Sequence, residues 1–324
     1  MGLMSAATSQ GSVAPRLSGD EIPFNKHRRF KQQSVGDWIV DIIIALLVAL
    51  IVLLILYPLW FIIIASFSDQ GLVSTGKVTI VPLGFQLGGY AKILADSRIW
   101  LGYWNTIVYT VIGTALNMLV TMPAAFALSR REFKPRRIIL FFFTFTMFFA
   151  GGIIPNYLLY KQLHLLNTMW VFILPVAVNV FNLIIARSFF ETSIPEDLHD
   201  AAQIDGLSYG GYFLKIVIPL SAAIIAVIGL YYFVQHWNDY MTGLIYVRDS
   251  SKQPLQIILQ NILLANQTQQ GGAGTGGASM ANQQQLADQI KYGVIIVSTL
   301  PLLVLYPFLQ KYFNKGVMIG AVKG

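Results

Sequence analysis

The sequence predicts an all-α polytopic membrane protein with six transmembrane helices. Three observations carry that expectation. Of the 324 residues, 55% are hydrophobic and only 11% are charged, whereas an ordinary soluble domain carries about 25% charged residues. Six charge-free windows recur along the chain, each long enough for the roughly 20 apolar residues a membrane helix needs. Lys and Arg gather in alternate connecting segments, as they do when one side of a bilayer is favoured.

Residues 1–36 form a polar tail ending in the basic stretch Lys26 to Lys31. Its first 23 residues lack the apolar core of a cleavable signal peptide and read as disordered. Residues 37–324 form the membrane domain. Its windows are Ile42–Ser68, Ile99–Ser129, Ile138–Tyr160, Gln162–Ala186, Ile216–Asn238 and Tyr292–Gln310. Span 1 is expected to end near Tyr57-Pro58-Leu59-Trp60. The segment Asp69 to Trp104, rich in Gly, reads as turns and short amphipathic pieces. Span 3 is expected to break at Gly151-Gly152 ahead of Pro155. Pro123, Pro175, Pro219 and Pro301 fall in or near spans, where neighbouring helices satisfy the carbonyls a proline frees. The long connection 241–291 starts with a helical pattern at Leu255 to Ala265. It then passes into a Gln- and Gly-rich run from Gln267 to Gln285, too poor in apolar groups to bury a core and read as mobile. The window Gln253 to Ala287 is therefore no span.

Six spans put both termini on one side. Fifteen of the 22 Lys and Arg residues fall in the tails and in the loops after spans 2 and 4. Those segments are therefore expected in the cytoplasm, with 241–291 outside. The net charge of +7 is then a topology signal, and nucleic acid is not an expected partner.

Several chemistries are excluded. The chain has no Cys, so disulfides, zinc thiolates and cysteine nucleophiles are out. His27, His164, His199 and His236 have no metal-ligand spacing. Gly71 to Lys77 has the Walker A glycine and lysine spacing, but Val78 stands where Ser or Thr should meet magnesium, and the segment follows a membrane helix instead of a strand. No catalytic or metal residue is expected, and no cofactor on this chain. A stand-alone secondary transporter or channel is the alternative function. Such a protein usually needs ionisable groups inside its spans and often an internal inverted repeat, and this sequence is nearly bare of the first and lacks a visible second. A membrane-embedded enzyme would need a catalytic cluster that the sequence does not offer.

The loop 191–211, between spans 4 and 5, holds a short amphipathic pattern. Ser193 and Glu196 have capping-box spacing, and Pro195 suits a first helical turn. Ile194, Leu198, Ala201 and Ala202 share one face, with Glu196, Asp197, Asp200 and Gln203 largely elsewhere. Gly206 suits a left-handed helix end. This helix is too short to span a membrane.

The order Asp200-Ala201-Ala202, two residues, Asp205-Gly206, then Phe213, Ile216, Pro219 and Leu220 resembles the ATPase-gripping loop of ABC importer permeases. It departs at Asp200, where the family has Glu, at Ile218, where it has Leu, and in lacking a second Pro after Pro219. Asn105-Thr106, Trp237-Asn238-Asp239-Tyr240 and the tail Gln310 to Gly324 extend the likeness. The chain resembles binding-protein-dependent carbohydrate permeases of the maltose-importer type, in the branch serving oligosaccharides, with alginate-like oligouronides one possibility. The resemblance implies the type I importer permease fold with a cytoplasmic coupling helix, in a bacterial inner membrane. It implies a sister permease, a dimer of ATPase subunits holding ATP and Mg, an external solute-binding protein, a sugar substrate and surrounding lipid. It places Glu196, Leu198, Asp200, Ala201, Ala202, Asp205 and Gly206 at the ATPase joint. Sugars are held by aromatic faces, amides and hydroxyls, which makes Asn117, Asn156, Tyr157, Asn179, Asn182, Gln235 and Trp237 candidates for a substrate path. Each also suits an interhelical hydrogen bond or an interface anchor. Lys161 or Arg248 would suit an acidic sugar.

Overall fold

The computed structural model describes residues 35–269, 288–304 and 307. The chain forms two compact units, residues 1–57 and 58–324, and the described residues are helical with no strand. Helix α1, Val35–Phe67, carries Pro58 in its interior, so the first span continues past the aromatic pair expected to end it. From Trp38 to Leu56 its large apolar side chains are exposed. A helix that is apolar all round belongs in lipid or a core.

The second unit continues with α2, Gln70–Ser74, α3, Gly88–Ala95, and α4, Ser97–Ser129. The Walker-like segment is α2 and its flanks. There the Asp69 carboxylate accepts from the N–H groups of Gly71 (2.7 Å) and Leu72 (3.4 Å), so an anion of the chain itself occupies the donors a phosphate would need. Asp96 caps α4 through the N–H of Arg98 (3.0 Å) and pairs with its guanidinium (2.6 Å). That bonding holds the Asp96 carboxyl below its ordinary range.

The third window divides into α5, Arg136–Phe148, and α6, Ile153–Gln162. They bend by 116° about Gly152, whose φ of +88° favours glycine. The 13 residues of α5 reach only about 20 Å, short of a bilayer's apolar thickness of roughly 30 Å. The window is thus no straight crossing.

The fourth window, 162–186, is not one helix either. It holds α7, Trp170–Ile173, and the start of α8, Val180–Ser193, with Pro175 in the turn that follows α7. The freed backbone is satisfied from other helices: Asn117 Nδ2 donates to Val176 O, and the Asn179 N–H donates to Tyr232 Oη (3.0 Å). Then come α9, Glu196–Ile204, α10, Tyr209–Tyr212, a π-helical turn Phe213–Val217, α11, Ile218–Leu220, and α12, Ala222–Trp237. The run 209–220 meets α12 at 85°, just after Pro219, whose missing N–H breaks the ladder. By length and composition two described helices can cross a membrane alone, or up to four if each bent pair counts as one span. The end of the sixth window lies outside the described residues.

The connection 241–291 is more ordered at its start than its composition suggests. It contains α13, Met241–Tyr246, a 3-10 turn Ser250–Lys252, and α14, Leu255–Gln269. Leu255, Ile257, Ile258 and Leu259 are buried. Gly102 lets α14 approach α4 closely, since a Cβ there would meet Ile258 Cδ1 at 2.7 Å and Leu255 Cα at 3.0 Å. Asn105 Nδ2 donates to Ser251 O (2.9 Å) and Gln253 O (3.0 Å), and Thr106 Oγ1 accepts the Leu255 N–H (2.8 Å). The run 270–287 and both terminal tails lie outside the described residues.

Helix α4 organises the core. Met122, Ala125, Phe126 and Leu128 pack with Leu183, Ala186 and Phe190 of α8 and with Ile224, Ile228 and Tyr232 of α12. Ile194, Ala202 and Tyr212 complete this cluster, so the same core that joins the long helices also seats the short helix α9.

Candidate functional site: the helix between α8 and α10

Helix α9 is joined to α8 by only two residues, Ile194 and Pro195. Ser193 is the last residue of α8 and Pro195 caps α9 without a side-chain hydrogen bond. The expected capping box therefore does not form, because its serine is still held in the preceding helix. Glu196 instead faces Arg131, with its carboxylate 3.0 Å from Nε.

The four apolar residues expected on one face are divided between two. Ile194 and Ala202 turn into the core at 4% and 2% exposure. Leu198 and Ala201 are exposed, together with Asp197, Asp200 and Ile204, and Ile204 stands out at 87%. With two of its nine residues buried, the helix leaves the rest of its surface for another body. His199, which the sequence offered no role, is the second anchor. It is buried and lies against the rings of Tyr209 (5.0 Å) and Tyr212 (5.1 Å). Its position three residues before Ala202, on the same helical face, was the available signal.

The exit of α9 is a Schellman motif. The Leu207 N–H donates to Ala202 O (2.9 Å) and the Gly206 N–H to Gln203 O (3.0 Å). Gly206 has φ +74° and its absent Cβ would meet nothing within 4 Å. Glycine is needed here for backbone conformation, and closeness within this chain plays no part. Ser208 then caps α10 through the Gly211 N–H (3.2 Å). Beside this joint, Pro123, Phe126, Phe133, Tyr209 and Phe213 line an apolar groove of about 490 Å³.

The candidate path residues fall into two groups. Asn117, Asn182 and Trp237 are buried within the chain. Asn117 Oδ1 lies 2.7 Å from His236 Nε2, and Trp237 Nε1 donates to Ser298 O (3.1 Å). Asn179 caps α8 by accepting the Asn182 N–H (3.2 Å), and its Nδ2 lies 3.5 Å from Gln235 Oε1. Asn156, Tyr157, Asn179 and Gln235 remain half-exposed. Tyr157 stacks on Tyr246 at 6.1 Å, with Tyr160 edge-on to the same ring at 5.1 Å. The sequence did not single out Tyr160 or Tyr246, which meet where both pack against the cluster of Tyr109, Val171, Phe172, Ile173 and Val247 and where Asn167 joins two distant loops. The Asn167 N–H donates to Tyr246 O (3.0 Å), and its Oδ1 accepts the N–H groups of Arg248 (3.1 Å) and Asp249 (2.9 Å).

A helical membrane bundle that seats a short capped helix on its core while leaving most of that helix exposed has the build of a type I importer permease. Residues 99–319 match the family described as binding-protein-dependent transport system inner membrane component, and the chain belongs to that family. It is 40% identical to the polygalacturonan/rhamnogalacturonan transport system permease protein YtcP of Bacillus subtilis (strain 168), over 88% of this chain and 99% of the relative. It is 39% identical to Protein LplC of the same organism, over 83% of this chain and 90% of the relative. A crystal structure of a bacterial ABC transporter involved in the import of the acidic polysaccharide alginate superposes with TM-score 0.76 at 31% identity, covering 87% of this chain and 99% of that one. The chain is accordingly a permease subunit of an ABC importer, and a transport component.

Proposed function

We propose that this permease serves the import of acidic oligosaccharides and that α9 is where a partner ATPase grips it. The observation that carries the second part is the division of α9: His199 and Ala202 fix it to the core, while Asp197, Asp200, Ala201 and Ile204 are presented outward on a helix whose exit is locked. Glu196, Leu198, Asp205 and Gly206 border that surface. In this reading ATP and Mg are held by two ATPase subunits, the translocation path is shared with a sister permease, and an external solute-binding protein delivers the sugar. Both termini and α9 lie in the cytoplasm, residues 1–36 are a cytoplasmic tail, and residues 37–324 are the membrane domain. The substrate class is supported by the acidic polysaccharides named for YtcP and for the alginate importer. It is supported also by the contacting rings of Tyr157, Tyr160 and Tyr246, with Lys161 and Arg248 close by in the sequence, a combination of apolar faces and cations suited to uronates.

The test begins with whether the purified chain brings down an ATPase and a second permease. Ala201→Glu places a charge on the outward face without touching the core, and should weaken ATPase attachment while the chain stays in the membrane. Binding-protein-stimulated ATP hydrolysis in vesicles, measured with uronate and neutral oligosaccharides, addresses the substrate. Normal attachment in Ala201→Glu, or stimulation by neutral sugars alone, would overturn the respective half of the proposal.

A further inference from the structure

The basic loop after α4 reads in the sequence as a topology signal, yet three arginines in and near it are engaged inside the protein. The last turn of a helix leaves carbonyls without intrahelical partners. On α4 these are met by guanidinium groups: Arg187 Nε donates to Leu128 O (3.1 Å) and Arg136 Nη1 donates to Ser129 O (3.4 Å). One carboxylate joins both arginines. Glu191 Oε1 pairs with Arg187 one turn earlier on α8 and with Arg136 Nη1 at 3.3 Å. The same arrangement recurs at the end of α8, where Arg130 Nη2 donates to Phe190 O (3.4 Å) while its guanidinium lies over the Phe126 ring at 5.0 Å. Cations at a helix C-terminus also meet the negative end of its dipole.

We infer that Glu191 is the positioning residue of a charged brace that carries force from α9 into α4 and α8. Three features support this. Glu191 lies five residues before α9, and the connection is short, with Ile194 anchored in the core. The side chains of Arg136, Arg187 and Glu191 are only 21%, 23% and 30% exposed, so their attraction is less screened than at an open surface. Arg136 and Glu191 border a polar cavity of about 240 Å³ that Ser129, Arg130, Arg131, Ile194 and Glu196 also line. By contrast Arg131 and Glu196, at 78% and 59% exposure, form the kind of open pair that contributes little. The inference rests on the reading of α9 as the ATPase joint.

The variant Glu191→Gln keeps the shape and an acceptor oxygen but removes the charge that holds two guanidinium groups together. Mutations along a coupling route shift coupling by an amount equivalent to about 2- to 30-fold. In reconstituted vesicles, Glu191→Gln should retain ATPase attachment and binding-protein-stimulated hydrolysis, while sugar imported per ATP hydrolysed falls within that range. Glu191→Asp should recover part of the ratio, and Arg131→Gln, which breaks the open pair from the side not placed at the ATPase joint, should leave it unchanged. If Glu191→Gln does not assemble, Arg187→Lys supplies the reading: it keeps the charge, loses the fork that serves Leu128 O through Nε and Glu191 through Nη2 and should lower the ratio at least twofold. A wild-type ratio in the assembled variant, or an equal fall in Arg131→Gln, overturns the inference. A chain that never captures an ATPase defeats instead the reading of α9 on which it rests.

Discussion

Gly206 distinguishes two reasons for a glycine at a joint, and a substitution series separates them. Its φ is +74° and the space where a Cβ would stand is open within this chain. An L-residue in the left-handed region costs about 1–2 kcal/mol, and a β-branched one fares worse. Escape from that strain would release the bonds from Leu207 N–H to Ala202 O and from Gly206 N–H to Gln203 O, each of which contributes about 1 kcal/mol net, and would unseat Leu207 from the core. Strain and escape are thus of similar size, and either one is set against ATPase docking. At 1.4 kcal/mol per tenfold, Gly206→Ala should weaken the affinity of the solubilised permease pair for its ATPase by about 5- to 30-fold. Gly206→Val should do at least as much. Gly206→Asn, larger than Ala but tolerant of this conformation, should weaken it less than Ala does. Titration of fluorescently labelled ATPase against each variant gives the order directly. An order that follows side-chain volume, with Asn worse than Ala, would refute the conformational argument and show that the partner packs against the Gly206 backbone.

Asn117→Leu should lower the thermal midpoint of the purified complex. It removes the donor to Val176 O and the partner of His236, and each buried polar group left unpaired costs about 1–3 kcal/mol. Because the chain has no Cys, Thr192→Cys and Ser250→Cys, both at exposed positions, report sidedness cleanly: an impermeant thiol reagent on intact cells should label residue 250 and spare residue 192, and the opposite pattern would invert the topology.

What could be read in the sequence was what depends on near neighbours. The apolar windows follow from composition, and Gly206 as a left-handed helix end follows from a pattern eleven residues long that the Schellman bonds reproduce. What could not be read depends on distant partners. The window 162–186 is as free of charge as the others, yet the chain leaves the helix near Pro175, where Asn117 and Tyr232 satisfy the backbone it exposes. Those partners are 59 and 53 residues away. The spacing of Ser193 and Glu196 fits a capping box equally well whether the helix starts there or, as here, the previous one has yet to end. The helical start at Leu255 was legible, but its burial was not, since the groups that hold it, Gly102, Asn105 and Thr106, lie on α4 about 150 positions earlier.

These long-range contacts share a logic. In lipid, apolar surface alone gives helices little reason to choose one another, so small residues and polar pairs set the packing. Helix α4 carries such devices at three levels. Gly102, Asn105 and Thr106 hold the segment 251–259 at one end. Asn117 and Thr121 reach His236 and Tyr232 in the middle, with Thr121 Oγ1 2.7 Å from Tyr232 Oη. The carbonyls of Leu128 and Ser129 receive Arg187 and Arg136 at the other end. Each device engages a different part of the chain, and each is buried or half-buried where an unpaired group is costly. Sliding α4 along its neighbours would break all three sets at once. In the proposed reading of α9 as the ATPase joint, a push delivered through it would meet α4, α8 and α12 as one body. In that reading displacement would be left to the places the clamps do not reach, at Gly152 and after Pro219, where the backbone is already bent by 116° and 85°.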